Sequence, residues 1–97
     1  MMDDSKSINE LCQALAACDD VKLIQDFLCN GLFTANETHE MATRWALVRL
    51  IDEGMSQRKI ADKLGLSLCK ITRGSKELKK NDSPFGKMLD LYLKDQS

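Results

Sequence analysis

The side chains with the richest chemistry in this 97-residue chain are four cysteines, one histidine and a run of basic residues. Cys12, Cys18, Cys29 and Cys69 form no Cys-x-x-Cys pair, and His39 is the lone imidazole, so the spacing does not suit a zinc site. Thiols with no histidine nearby are poor nucleophiles. His39 sits at a helix start beside Glu37 and Glu40, a position that reads as solvated rather than basic. An enzyme is therefore not expected, and the cysteines read as small apolar fillers. The basic run offers more. Between Ser56 and Lys80 stand Arg58, Lys59, Lys63, Lys70, Arg73, Lys76, Lys79 and Lys80, against only Asp62 and Glu77. Residues 1–43 hold two basic and eight acidic residues, whereas 44–97 hold twelve and seven. The overall charge of −1 hides this split. A basic block of this kind is either a solvated face or an electrostatic footprint for phosphate.

The elements that carry these residues read as all-α. The chain has one proline and no period-two alternation. Ser7-Ile8-Asn9-Glu10 has the form of a capping box and opens an amphipathic stretch with Ile8, Leu11, Cys12 and Leu15 on one face. Asp19-Asp20 interrupts it. Val21, Ile24, Phe27 and Leu28 mark a short second helix, with Gly31 placed as its left-handed cap. Thr34-Ala35-Asn36-Glu37 is a second capping box, opening the longest helix, about 35–53. Its apolar surface (Met41, Trp45 and Val48, then Leu47, Leu50 and Ile51) is wider than one stripe and asks for neighbours on most sides. A second copy of the chain is one source. Gly54 ends this helix. Ser56 and Ser67 cap two short helices around Gly65, and Ser83-Pro84 opens a last helix bearing Phe85, Met88, Leu89 and Tyr92. No apolar run is long enough to span a membrane, and 1–7 lacks the apolar core of a signal peptide, so a cytoplasmic protein is expected.

The segment 57–71 has a specific spacing. Ala61 is small where two helices cross, Gly65 permits the left-handed turn, and Ile71 returns an apolar side chain to the first helix. Ile60, Leu64, Leu66 and Leu68 are expected to complete that small core. This is the spacing of a helix-turn-helix, whose second helix enters the major groove. On that reading Arg58 suits a bidentate contact to guanine, Leu68, Cys69 and Thr72 sit on the second helix, and Gln57, Lys76, Lys79 and Lys80 meet phosphates. Arg73-Gly74 fits less simply, because glycine costs helix stability. Either the helix ends early there, or a ligand lies against it beside Arg73.

Met55-Ser56-Gln57-Arg58, Leu64-Gly65, Ile71-Thr72-Arg73-Gly74-Ser75 and Leu78-Lys79 resemble the tryptophan repressor family, as do Leu32-Phe33-Thr34, Glu37 and Thr43-Arg44 upstream. The likeness runs from about residue 8 to 93. It implies an all-α, six-helix chain in an intertwined homodimer. The chain 1–97 would be one domain, with core and dimerisation helices at 7–53 and 83–95 and the helix-turn-helix at 56–80. It also implies a repressor of tryptophan biosynthesis or uptake genes that binds double-stranded operator DNA with L-tryptophan as corepressor. Carried over by motif, Arg44 and Arg73 sandwich the indole, and Arg73 also takes the carboxylate. Guanidinium groups stack on aromatic faces and fork onto carboxylates, which suits both roles. Thr34 assists with the carboxylate, backbone carbonyls near Gly31 and Phe33 accept from the ammonium, Val48 is an apolar wall and Gly74 gives room. The resemblance further implies that Arg58, Leu68, Cys69 and Thr72 face bases, often through water, and Ser75 joins the DNA-facing set. Three departures stand out: the stretch from Arg44 to Met55 is one residue shorter than in the best-known members, Gly31 replaces a leucine, and Glu77 replaces a serine. Glu77 is expected to pair with the ligand's ammonium, since the charges are opposite. The other reading is a regulator of the same fold that binds DNA with a different small molecule or none.

Overall fold

The computed structural model describes residues 3–96, and among them every regular element is helical. The outermost positions of the expected domain, 1–2 and 97, lie outside the described residues. Six α-helices follow in order: α1 (Asp4–Ala17), α2 (Val21–Phe27), α3 (Ala35–Asp52), α4 (Gln57–Leu64), α5 (Leu68–Lys79) and α6 (Pro84–Gln96). A single π-helical turn, Leu28–Leu32, continues α2. The chain forms two compact units, 1–39 and 40–97.

In the first unit the caps are local and specific. Asp3 accepts from Ser5 N at 3.2 Å, so α1 begins three residues before Ser7. This corrects the capping box expected at Ser7: an aspartate cap upstream lets the helix form earlier, and Ser7 lies within it. The Asp20 carboxylate accepts from Lys22 N and Leu23 N and starts α2. Gly31 is not a left-handed cap. It lies inside the π turn, which closes with Phe33 N donating to Leu28 O at 2.9 Å. The box at Thr34 forms as expected, with Glu37 N donating to Thr34 Oγ1 (3.1 Å) and Thr34 N to Glu37 Oε1 (2.9 Å).

The core of the second unit sits where α3, α4 and α5 meet. Leu47, Ile60 and Ile71 are buried together, with Leu50, Ile51, Met55, Ala61, Leu64 and Leu66 packed around them. Gly54 closes α3 at φ 94°, with Met55 N bonded to Leu50 O and Gly54 N to Ile51 O, a glycine-terminated motif that satisfies the last carbonyls. Gly65 does the same for α4 at φ 66°, and Leu66 N reaches back to Ala61 O. Trp45 of α3 stacks on Phe85 of α6 at 5.9 Å and meets Tyr92 edge-on at 6.2 Å. Arg49 lies over the Tyr92 ring at 5.1 Å while bonding Glu53 at 2.7 Å. That hydrogen bond pushes the Arg49 guanidinium above its usual value, so it stays charged.

The cysteines are not core fillers, which corrects the sequence expectation. Cys12 and Cys69 are exposed and Cys18 and Cys29 half-buried, and none belongs to the buried cluster. Among the described residues no group of three or more His, Cys, Asp or Glu could hold a metal. Nor is any helix long and apolar enough to cross a membrane.

Candidate nucleic-acid interface

Two serines and a glycine build the helix-turn-helix. Ser56 Oγ accepts from Lys59 N and Ser67 Oγ from Lys70 N, so each short helix starts on its own side-chain cap. Gly65 supplies the left-handed residue between them. Ile60 and Ile71 are fully buried against each other's helices, and this contact fixes how α5 is presented.

The periodicity of α5 then sorts its residues. Ile71, Gly74 and Ser75 face inward, while Leu68, Cys69, Thr72, Arg73 and Lys76 share the opposite side and line an open depression of about 420 Å³. Leu68 is 56% exposed and takes no part in the core, contrary to its expected filling role, because as the first residue of α5 it falls on the face shared with Cys69, Thr72 and Lys76. Ser75 is a second correction: only 7% exposed, it belongs to the inward face and leaves the DNA-facing set. Gln57 and Arg58 are exposed in the first turn of α4. Lys79 is exposed in the last turn of α5. The helix runs through Gly74 to Lys79, so the early ending open to the sequence does not occur.

Gly74 has a structural reason. A Cβ there would stand 3.0 Å from Leu47 Cδ2 and 3.3 Å from Leu47 Cγ, so the missing side chain lets α5 approach α3. Val48, expected as a ligand wall, is 1% exposed, its surface already covered. Arg44 and Arg73 are exposed. Glu77 pairs with Lys80 at 2.8 Å on the surface. Lys80 as the partner of Glu77 was missed in the sequence, although an i, i+3 pair of opposite charge is a readable signal. Gly31, Phe33 and Thr34 belong to the first unit, where Gly31 and Thr34 are exposed and Phe33 half-buried.

The chain matches the profile of the family described as Trp repressor protein over residues 6–92. It belongs to the Trp repressor family. That places it among DNA-binding, all-helical regulators of transcription, and the helix-turn-helix above is the element a repressor of this family needs. Curated relatives agree. A Trp operon repressor homolog of Chlamydia trachomatis serovar L2 is 39% identical over 69 residues, 70% of this chain and 72% of its own length. One from Chlamydia caviae is 39% identical over 79 residues, 77% of each chain. One from Xylella fastidiosa strain M23 is 37% identical over 65 residues, 66% of each. No solved structure matches the chain significantly.

Proposed function

We propose that this repressor acts in the cytoplasm as a homodimer on double-stranded operator DNA, with L-tryptophan as corepressor, at genes of tryptophan biosynthesis or uptake. The observation that carries the DNA half is the outward face of α5, where Leu68, Cys69 and Thr72 stand beside Arg73 and Lys76 on a helix pinned by Ile71. Arg58 is available to a base edge from α4, and Gln57, Lys76 and Lys79 to phosphates. Large apolar side chains left at the surface support the homodimer: Ile8, Val21 and Leu23 in the first unit, Met88 and Leu91 in the second.

The ligand half rests on family membership and on two exposed guanidiniums, Arg44 and Arg73, neither bound in an ion pair among the described residues. Arg44 and Arg73 stack on the indole and Arg73 forks onto the carboxylate, with Thr34 assisting. Carbonyls near Gly31 and Phe33, and the Glu77 carboxylate, receive the ammonium. Val48 and Gly74 complete the apolar side once the covering groups shift. Tryptophan acts by preferring the arrangement in which both α5 helices of the dimer reach successive major grooves, about one helical turn apart. Retention of a palindromic fragment from upstream of tryptophan genes, with and without L-tryptophan, tests this. The expected coupling is about 5- to 150-fold. Identical retention in both lanes refutes the corepressor. Glu77→Ala should weaken tryptophan binding by calorimetry, and unchanged or tighter binding would defeat the ammonium pairing. The covered surfaces of Val48 and Gly74 favour one second reading, a regulator that takes another ligand or none. The same calorimetry decides it, since no heat with L-tryptophan would leave that reading standing.

A further inference from the structure

The α5 face has an uneven supply of hydrogen-bond donors. Thr72 Oγ1 donates its proton to the Leu68 carbonyl at 2.9 Å. What Thr72 turns outward is therefore a γ-methyl and an oxygen that can accept but not donate. Leu68, one turn earlier in the same row, exposes an aliphatic side chain. Cys69, in the adjoining row, offers only a weak S–H donor. Strong donors begin further along, at Arg73 and Lys76.

In the major groove the four base pairs make different demands on such a surface. Guanine shows two acceptors, N7 and O6, and needs donors. Cytosine shows an N4 donor without a methyl. An A·T pair sets the adenine N6 donor near the thymine 5-methyl. Only the last matches an acceptor oxygen flanked by methyl and isobutyl groups. Charge supports duplex DNA as the occupant of this face, since Arg73 and Lys76 line it and Lys59, Lys63 and Lys70 of the same helix-turn-helix are exposed.

We propose that Leu68 and Thr72 read an A·T pair in each half-site, with the thymine 5-methyl packed against Leu68 and the Thr72 γ-methyl, and adenine N6 donating to Thr72 Oγ1. The proposal rests on the DNA-binding reading above. It makes thymine's methyl group, rather than a hydrogen bond from threonine, the chemical signature sought by the start of α5.

The test begins with duplexes selected by the full-length protein, with L-tryptophan present, from a pool of randomised DNA. The tightest binder is then resynthesised with deoxyuridine replacing thymidine one position at a time, which removes only the methyl. One position per half-site should lose affinity about fourfold, the effect of one buried methyl-sized group. In Leu68→Ala, checked for native helicity by circular dichroism, that uracil sensitivity should shrink towards one while the salt dependence of binding stays the same. Uracil without effect at every position overturns the proposal, as does full sensitivity in Leu68→Ala. Failure to select any duplex would overturn the DNA-binding reading as well.

Discussion

Adding one methyl group to Gly74 should destabilise the protein even though it improves the helix. In the interior of α5, alanine gains about 1 kcal/mol over glycine from backbone propensity. Against this, the new Cβ would meet Leu47 Cδ2 at 3.0 Å and Cγ at 3.3 Å. Leu47 cannot swing aside, because it is buried in the cluster with Ile60 and Ile71. Overpacking of a well-filled core costs about 1–3 kcal/mol, so Gly74→Ala should come out destabilising by up to about 2 kcal/mol. The sign should reverse when Leu47 is trimmed. In a Leu47→Ala background the two closest atoms are gone, and Ile51 Cδ1 at 3.6 Å is an ordinary contact. There Gly74→Ala should stabilise by about 1 kcal/mol, its propensity gain alone. Urea unfolding followed by circular dichroism measures all four variants, at one protein concentration because self-association would shift the midpoint. A stabilising Gly74→Ala in the wild-type chain would refute the packing argument. So would an equal effect in both backgrounds.

Other perturbations should separate the same way. Thr34→Ala removes one half of the reciprocal cap on α3 and should cost about 1 kcal/mol, with Glu37→Ala adding less than its own effect when combined, as urea midpoints will show. Gly65→Ala forces a Cβ into the left-handed region at φ 66° and should cost about 1–2 kcal/mol in the same assay. Arg58→Ala should lower affinity for a selected operator by about 1–3 kcal/mol and relax preference at one position. Lys79→Ala should instead weaken all duplexes alike and reduce the salt slope by about 1, both read by fluorescence anisotropy.

Much of the fold was legible because its signals are local. Thr34, Ser56, Ser67 and Ser83 each start a helix through a bond to a backbone amide three residues on, and nothing distant is needed to place them. Gly54 and Gly65 end helices for an equally local reason, their positive φ. The start of α1 was misplaced because two equivalent patterns compete there, and Asp3 caps before Ser7 can. At the site, the helix-turn-helix spacing put Leu68, Cys69 and Thr72 on the second helix, but it also sent Leu68 into the core, where it does not go. It did not reveal that Ser75 turns inward, which depends on the angle at which α5 meets its neighbours. Gly74 was the hardest. Its partner Leu47 lies 27 positions away, and a lone glycine says only that something approaches closely, not what.

The π turn at Leu28–Leu32 spends one residue more per turn than an α-helix would before releasing the chain at Phe33. Many sequences could fill these five positions, since none of them is buried. Their number is loosely set too. Removing one, Asn30 for instance, would let the turn relax to α geometry, where four residues sweep about 400°, close to what the five sweep now. Phe33 and Thr34 would keep their direction, and α3 would start where it does. The turn behaves as a one-residue insertion that the helix swallows without redirecting the chain beyond it.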